Sequence, residues 1–259
     1  MSRIFITGST DGLGLLAARR LLDQGHDIVL HARTPQRAAD VLDRAPQASD
    51  IVVGDLSTFA ATTDVAAQVN ELGRFDAVIH NAGIAYNDPR RIETDDGITT
   101  MFAVNVVAPY LLTALVTRPS RLVYLSSGMH RGADASLDDP QWTSRRWSAT
   151  QAYSDSKAHL TSLALAVARL WPDVLVNAVD PGWVPTKMGG PGASDDLDLG
   201  SLTQAWLAVS DDPAPTVTSG YFHHQRLQRP DPATTEPQTQ DALLAYCRDL
   251  TGVALPRTS

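Results

Sequence analysis

The stretch Arg3-Ile4-Phe5-Ile6-Thr7-Gly8-Ser9-Thr10-Asp11-Gly12-Leu13-Gly14-Leu15-Leu16 decides how this chain is read. Ile4, Phe5 and Ile6 are apolar on successive positions, the pattern of a strand covered on both faces. From Gly12 the apolar spacing becomes that of an amphipathic helix, predicted over 12–24. Glycines at 8, 12 and 14 occupy the turn between the two. Glycine lets a backbone approach a phosphate closely, and a helix N-terminus offers free N–H groups and a positive dipole end. Thr7, Gly8, Ser9, Thr10, Asp11, Gly12, Leu13 and Gly14 are therefore candidate residues of a phosphate cradle. A glycine-rich turn alone is modest evidence; the strand before it and the helix after it strengthen it.

Working outward, the same alternation continues. Strands are predicted at 27–31, 50–53, 76–80, 121–126 and 174–179, with a weaker one at 217–222. Helices are predicted at 35–44, 58–73, 96–117, 151–171, 200–209 and 238–251. Ala77-Val78-Ile79 and Leu122-Val123-Tyr124-Leu125 are also apolar on successive residues. The expected fold is α/β: a Rossmann-type, doubly wound parallel sheet of about seven strands with helices on both faces, in one domain spanning 1–259. The irregular stretches 128–150 and 184–199 follow strands and belong at the ligand-binding edge of such a sheet, where substrate loops are expected over about 128–150 and 184–205. Residues 224–259 form a C-terminal extension, in which 229–239 reads as a surface connection.

Composition narrows the function. The 259 residues are 43% hydrophobic and 19% charged, with 29 acidic against 21 basic side chains and a net charge of −8. That balance opposes phosphate-driven nucleic-acid binding and a polybasic membrane anchor. A single cysteine, Cys247, leaves no internal disulfide and no cysteine-based zinc site. The apolar run 101–116 is interrupted by Asn105 and Pro109 and is short for a membrane span. A strand at residue 3 leaves no room for a signal peptide. The expectation is a soluble, cytoplasmic protein acting on a small molecule, without nucleic-acid or membrane partners; homodimer and monomer both stay open.

Further residues carry chemistry. His31-Ala32-Arg33 ends the second strand, with Arg37 a helical turn on. A dinucleotide with a free ribose 2′-hydroxyl calls for a carboxylate there; an arginine suits a 2′-phosphate instead, which predicts NADP(H) rather than NAD(H). Asp11 opposes this by adding negative charge nearby. Tyr153 and Lys157 stand at i and i+4, side by side on one helix face. A neighbouring ammonium favours phenolate and suits the phenol to proton transfer. Only two of the 21 basic residues are lysine, Lys157 and Lys187. Ser126-Ser127 ends the fifth strand, where a hydroxyl can polarise a carbonyl, although paired serines also simply form turns. Pro109 lacks the N–H that would serve the Asn105 carbonyl, so that carbonyl is open to water and the helix should kink. Asp55-Leu56, Asn81-Ala82-Gly83 and Pro181-Gly182-Trp183-Val184-Pro185-Thr186 all follow strands. Asp55 is placed to meet an adenine amine and cap the next helix. His223-His224 is not read as a metal site, because adjacent strand residues face opposite ways. No G-x-S-x-G elbow supports a serine hydrolase.

In this order, these motifs resemble the short-chain dehydrogenase/reductase family: T-G-x-x-x-G-x-G at 7–14, D-L at 55–56, N-A-G at 81–83, Asn105, S-S at 126–127, Y-x-x-x-K at 153–157 and P-G-x-V-x-T at 181–186. The tail around Gly220-Tyr221-Phe222 resembles the retinol dehydrogenase-like and carbonyl reductase branch. The resemblance implies an NADP(H)-dependent hydride transfer between nicotinamide and a carbonyl or alcohol. It implies Tyr153 as general acid/base, Lys157 as its partner and ribose ligand, Ser127 as the substrate-oxygen ligand and Asn105 as the holder of a relay water. Val184 and Thr186 would meet the carboxamide, and Asn81 to Gly83 the adenosine ribose.

Ser127 and Tyr153 are 26 residues apart, about twice the spacing common in that family. The extra stretch holds Met129, Trp142 and Trp147; with Trp183 and Met188 these make a bulky apolar substrate pocket over 84–88, 128–150 and 183–205, suited to a hydrophobic aldehyde or ketone. Gly189-Gly190-Pro191-Gly192 reads as a lid hinge. The rival readings are a catalytically silent cofactor-binding regulator, opposed by the complete Asn105, Ser127, Tyr153 and Lys157 set, and a nucleotide-sugar epimerase or dehydratase, opposed by glycine spacing and chain length.

Overall fold

The computed structural model describes residues 1–85 and 89–256. Seven parallel strands run in the order β3-β2-β1-β4-β5-β6-β7, and an antiparallel β8 closes the edge. They are β1 (Arg3–Ile6), β2 (Asp27–Ala32), β3 (Asp50–Val53), β4 (Ala77–His80), β5 (Arg121–Leu125), β6 (Leu175–Asp180), β7 (Gly220–His223) and β8 (Arg226–Gln228). The helices are α1 (Gly12–Asp23), α2 (Pro35–Leu42), α3 (Phe59–Glu71), α4 (Thr100–Phe102), α5 (Ala108–Leu115), α6 (Ala149–Leu170), α7 (Leu197–Val209), α8 (Pro232–Thr235) and α9 (Pro237–Thr251).

The central strands bury both faces because their residues alternate between two cores. Ile4 and Ile6 of β1 pack with Leu15, Ala18 and Leu21 of α1 and with Ala205 and Ala208 of α7. Phe5 between them packs into the opposite core, which holds Val65 and Val69 of α3, Leu111 of α5, Leu163 and Val167 of α6, and Leu243 of α9. This is the physical content of consecutive apolar residues in a parallel strand. Local caps set the helix starts: Asp11, Thr34, Thr58, Ser148 and Asp196 each accept a backbone N–H of the first turn.

The helix predicted at 96–117 departs from regularity where Pro109 requires it. Residues Ala103–Val107 form a π-helical turn, and the Ala108 N–H reaches back five residues to the Ala103 carbonyl. The widened turn absorbs the missing proline N–H.

Four expectations are corrected. The sheet has eight strands rather than about seven, because His224 and Gln225 take φ of 47° and 60° and turn the chain back along β7. The same turn lifts His224 out of the strand, so the His223 and His224 rings stack with centroids 3.9 Å apart instead of facing opposite ways. Even so, no group of three or more His, Cys, Asp or Glu able to hold a metal occurs among the described residues. The connection 229–239 contains α8, started by Asp231. Thr58, not Asp55, caps α3; the Asp55 carboxylate accepts the Ser57 N–H at 3.0 Å.

Sheet order reverses between β1 and β4, which opens a crevice at the carboxyl ends of the strands. Along the opposite flank, α6 is buried from Ala152 to Ala168. The C-terminal tail is tied down there: Tyr110 Oη donates to the Val253 carbonyl at 2.6 Å and Trp171 Nε1 to the Pro256 carbonyl at 2.7 Å. No described helix is long and apolar enough to cross a membrane.

Candidate active site

The crevice wall begins with a lock between the ends of β1 and β4. Thr7 Oγ1 accepts the Asn81 and Ala82 N–H groups at 3.0 and 2.9 Å. The Asn81 amide donates to the Thr7 and Gly8 carbonyls at 2.9 and 3.1 Å. Two glycines are required by this packing. Gly8 has φ +61°, and a Cβ there would lie 2.9 Å from Ala82 Cα; one on Gly14 would lie 2.6 Å from the Gly8 carbonyl oxygen. Ser9 is fully buried, donating to the Ile6 carbonyl at 2.8 Å and accepting the His31 N–H at 2.9 Å. Thr7, Ser9 and Gly14 thus stand behind the turn, whereas Gly8, Thr10, Asp11, Gly12 and Leu13 line the crevice.

His31 is a residue that sequence reasoning left without a role. Its Nδ1 accepts the Gly8 N–H at 3.0 Å, so Nε2 carries the proton and donates to the Gly54 carbonyl at 3.0 Å. Burial holds its pKa down to about 4, and the ring stays neutral. The glycine turn is thereby fastened to the ends of β2 and β3. The only sequence signal was a polar ring in an otherwise apolar strand.

The cavity measures about 490 Å³. At one end Arg33 and Arg37 line it with Asp55 and Leu56. Arg33 and Arg37 are exposed, and neither guanidinium has an ion-pair partner among the described residues. Asp11 does not leave its charge uncompensated there: Lys187 forms an ion pair with it, Arg44 Nη2 stands 3.6 Å away, and its carboxyl pKa is lowered, chiefly by the Lys187 hydrogen bond. Asn81, Ala82 and Gly83 line the middle.

Tyr153 and Lys157 line the other end, beside Leu125 and Ser126. Lys157 Nζ lies 5.6 Å from the centre of the Tyr153 ring and donates to the Leu125 carbonyl at 2.7 Å. Burial of this ammonium lowers its pKa to about 8. A Cβ on Gly83 would stand 3.4 Å from Lys157 Nζ and 3.3 Å from Asn105 Oδ1, so the glycine keeps this corner open. The Asn105 side chain is wholly engaged: Oδ1 accepts the Ile84 N–H at 2.9 Å, and Nδ2 donates to the Ile84 carbonyl at 3.1 Å and to Ser156 Oγ at 3.0 Å. Pro109 has no N–H to offer the Asn105 main-chain carbonyl.

The two serines divide in kind. Ser126 Oγ is buried, 2.6 Å from Thr161 Oγ1 and 3.3 Å from the Lys157 carbonyl. Ser127 Oγ is half-buried and accepts the Met129 N–H at 3.2 Å as the cap of a short 3₁₀ turn, Gly128–His130. The Ser127 O–H proton has no protein acceptor among the described residues, although Ser126 rather than Ser127 lies on the crevice lining.

The pocket residues separate. Met188, with Pro181, Thr186 and Lys187, lines the crevice; Met129, Trp142, Trp147 and Trp183 are not among the described lining residues. Trp142 is buried edge-on against Trp147 with the Arg145 guanidinium 3.8 Å above its ring. Arg145 in turn binds the buried Asp155 of α6 at 2.8 Å and Asp134 at 3.2 Å. The tryptophans therefore serve as the insert's own core rather than as a wall for substrate. Trp183 is 52% exposed, and its indole N–H donates to the Gly189 carbonyl at 2.9 Å. Gly182 (φ +82°) and the buried Val184 shape the turn behind Pro181 and Thr186. Of 84–88, Ile84 lines the crevice; Tyr86, Asn87 and Asp88 lie outside the described residues.

Comparison with known proteins agrees with this geometry. The family model described as short chain dehydrogenase matches residues 2–130. The short-chain dehydrogenase chyC of Penicillium rubens is 42% identical over 260 residues, covering 99% of this chain and 100% of its own. Among solved structures, a protein of Mycobacterium paratuberculosis superposes with a TM-score of 0.85 at 23% identity, covering 99% of this chain and 95% of its own. RhlG of Pseudomonas aeruginosa, solved as an NADP active-site complex, has a TM-score of 0.66 at 21% identity over 85% of this chain and 94% of its own.

Proposed function

This chain belongs to the short-chain dehydrogenase/reductase family, and on that premise we propose that it is an NADP(H)-dependent oxidoreductase acting on a hydrophobic aldehyde, ketone or the matching alcohol. The observation that carries the reading is one crevice with two unlike ends: at one, the guanidinium groups of Arg33 and Arg37, without an ion-pair partner among the described residues; at the other, Tyr153 beside Lys157. A dinucleotide with a 2′-phosphate fits that arrangement. The phosphate would meet Arg33 and Arg37 through charge-assisted hydrogen bonds. The pyrophosphate would lie against the glycine turn at the N-terminus of α1. Asp55 and Asn81 to Gly83 would border the adenosine, and Val184 and Thr186 the carboxamide. RhlG, of the same fold, binds NADP.

Bound NADPH would supply a hydride to the carbonyl carbon of the substrate. The protein manages the oxygen. Ser127 donates a hydrogen bond to it and Tyr153 transfers its phenolic proton to it, so an alcohol forms and the phenolate is left behind. The Lys157 ammonium favours that phenolate and would hold the ribose hydroxyls of the bound cofactor. The Asn105 carbonyl holds the water through which the phenolate regains a proton. Alcohol oxidation uses the same groups in reverse. The partly exposed Met188 adds an apolar surface to the crevice mouth.

The test is a screen of hydrophobic aldehydes and ketones with NADPH and NADH, followed by Tyr153→Phe. The variant is expected to bind NADPH as the wild type does and to lose about 10²–10⁴ in kcat. A variant with full turnover overturns the mechanism; equal use of NADH overturns the cofactor assignment.

A further inference from the structure

We infer that His130 is a positioning residue for Ser127, holding the serine by its main-chain carbonyl and anchoring that hold in the C-terminal segment. The inference rests on the proposed role of Ser127 and goes beyond it by naming what fixes that serine. His130 has no exposed surface. Its Nε2 accepts the Asp231 N–H at 2.9 Å, so the ring proton sits on Nδ1. That Nδ1–H points at the Ser127 carbonyl, 2.8 Å away, and the His130 main-chain N–H reaches the same oxygen at 3.1 Å. Two donors thus pin one carbonyl, and the Ser127 peptide plane sets the direction of its side chain. The opposite side of the turn has no slack: a Cβ on Gly128 would stand 2.9 Å from Asp180 Oδ2.

The far end of the ring is held as firmly. The Asp231 carboxylate accepts the Gly132 N–H at 2.7 Å and the Ala233 N–H at 2.9 Å, bridging the loop after β5 to the start of α8. Arg131 donates to the Arg229 carbonyl at 3.2 Å and lies 5.2 Å over the Tyr221 ring. Tyr221 tilts against His130 with centroids 4.6 Å apart, and its hydroxyl is 3.2 Å from Nδ1. Both ring nitrogens are occupied by protein, so His130 touches no substrate itself. Its imidazole is the link through which segment 229–233, a hundred residues away, fixes the exit of β5.

Two conservative variants separate this role from simple anchoring. In His130→Asn, the side-chain amide falls near Nδ1: the donor to Ser127 is kept and the acceptor for Asp231 is lost. In His130→Gln, the side-chain end falls near Nε2: the acceptor for Asp231 is kept and the donor to Ser127 is lost. With a carbonyl substrate and NADPH, His130→Asn is expected to keep most of kcat. His130→Gln is expected to lose about tenfold to a hundredfold in kcat at unchanged NADPH affinity, the scale of a misplaced reacting group. In a Ser127→Ala background, His130→Gln should cost nothing further, as for residues acting through one another. Equal kcat in the two variants, the reverse order, an undiminished effect in the Ser127→Ala background, or failure of both to take up NADPH would each overturn the inference. ¹⁵N-histidine NMR of the wild type should find Nδ1 protonated; a proton on Nε2 would overturn it without any variant. Ser127→Ala alone keeps the failures apart: full activity there defeats the reading of Ser127, whereas loss there with equal His130 variants defeats only the role of His130.

Discussion

Replacing Lys157 by methionine should abolish turnover and yet stabilise the cofactor-free protein at neutral pH. Lys157 is 4% exposed, and the Leu125 carbonyl at 2.7 Å accepts a hydrogen bond from its ammonium. Burial moves its pKa from 10.5 to about 8. A shift of about 2.5 units corresponds to roughly 3 kcal/mol of folding free energy lost while the group is charged. The penalty is complete below pH 8, where lysine is protonated in both states. It fades between pH 8 and 10.5, where the folded chain has shed a proton that the unfolded chain keeps, and it is gone above pH 10.5. Methionine removes the penalty but strands the Leu125 carbonyl, which costs about 1–2 kcal/mol. The net gain at pH 7 is roughly 1–2 kcal/mol, or about 2–6 °C in Tm for a chain of this size. Thermal unfolding of both proteins without cofactor at pH 7 and pH 10 checks this. The gain should be largest at pH 7 and shrink or reverse at pH 10. A variant less stable at pH 7, or a difference that ignores pH, refutes the reasoning.

Three further outcomes follow from the same geometry. Arg33→Ala should raise KM for NADPH about tenfold to a hundredfold, the loss of a charge-assisted contact, and leave KM for NADH unchanged; parallel rises for both cofactors would dissociate Arg33 from the 2′-phosphate. Lys187→Ala leaves Asp11 less well compensated beside the crevice. Because Lys187 is 85% exposed along its side chain, the effect on the NADPH Kd should be small, about threefold weaker, and should vanish at high salt; tighter binding would contradict it. Asp155→Ala removes the buried partner of Arg145 and of the Gln151 amide. It should cost roughly 2–4 kcal/mol in denaturant unfolding, and a loss within about 0.5 kcal/mol, the range of ordinary surface substitutions, would show that the insert is not anchored there.

The elements that could be read in the sequence are those whose determinants lie within a few residues. The glycine turn followed by a helix, the Tyr153 and Lys157 pairing one turn apart, Arg33 at the end of the second strand, and the break imposed by Pro109 all depend on immediate neighbours and backbone sterics. Consecutive apolar runs also sufficed for a parallel sheet covered on both sides. The residues found elsewhere than expected depend on contacts and backbone angles that residue type does not announce. Trp142 and Trp147 have the size and polarity of pocket walls, and only the pairing of Arg145 with Asp155 draws them into the insert's own core. β8 depends on left-handed backbone at two successive residues, His224 and Gln225, a conformation uncommon outside glycine. Tertiary structure alone brought Lys187 to Asp11, His31 to Gly8 and Gly54, and His130 to Asp231. Local sterics and periodicity are written along the chain; the meeting of residues from 23 to 176 positions apart is set by the order in which the strands lie side by side.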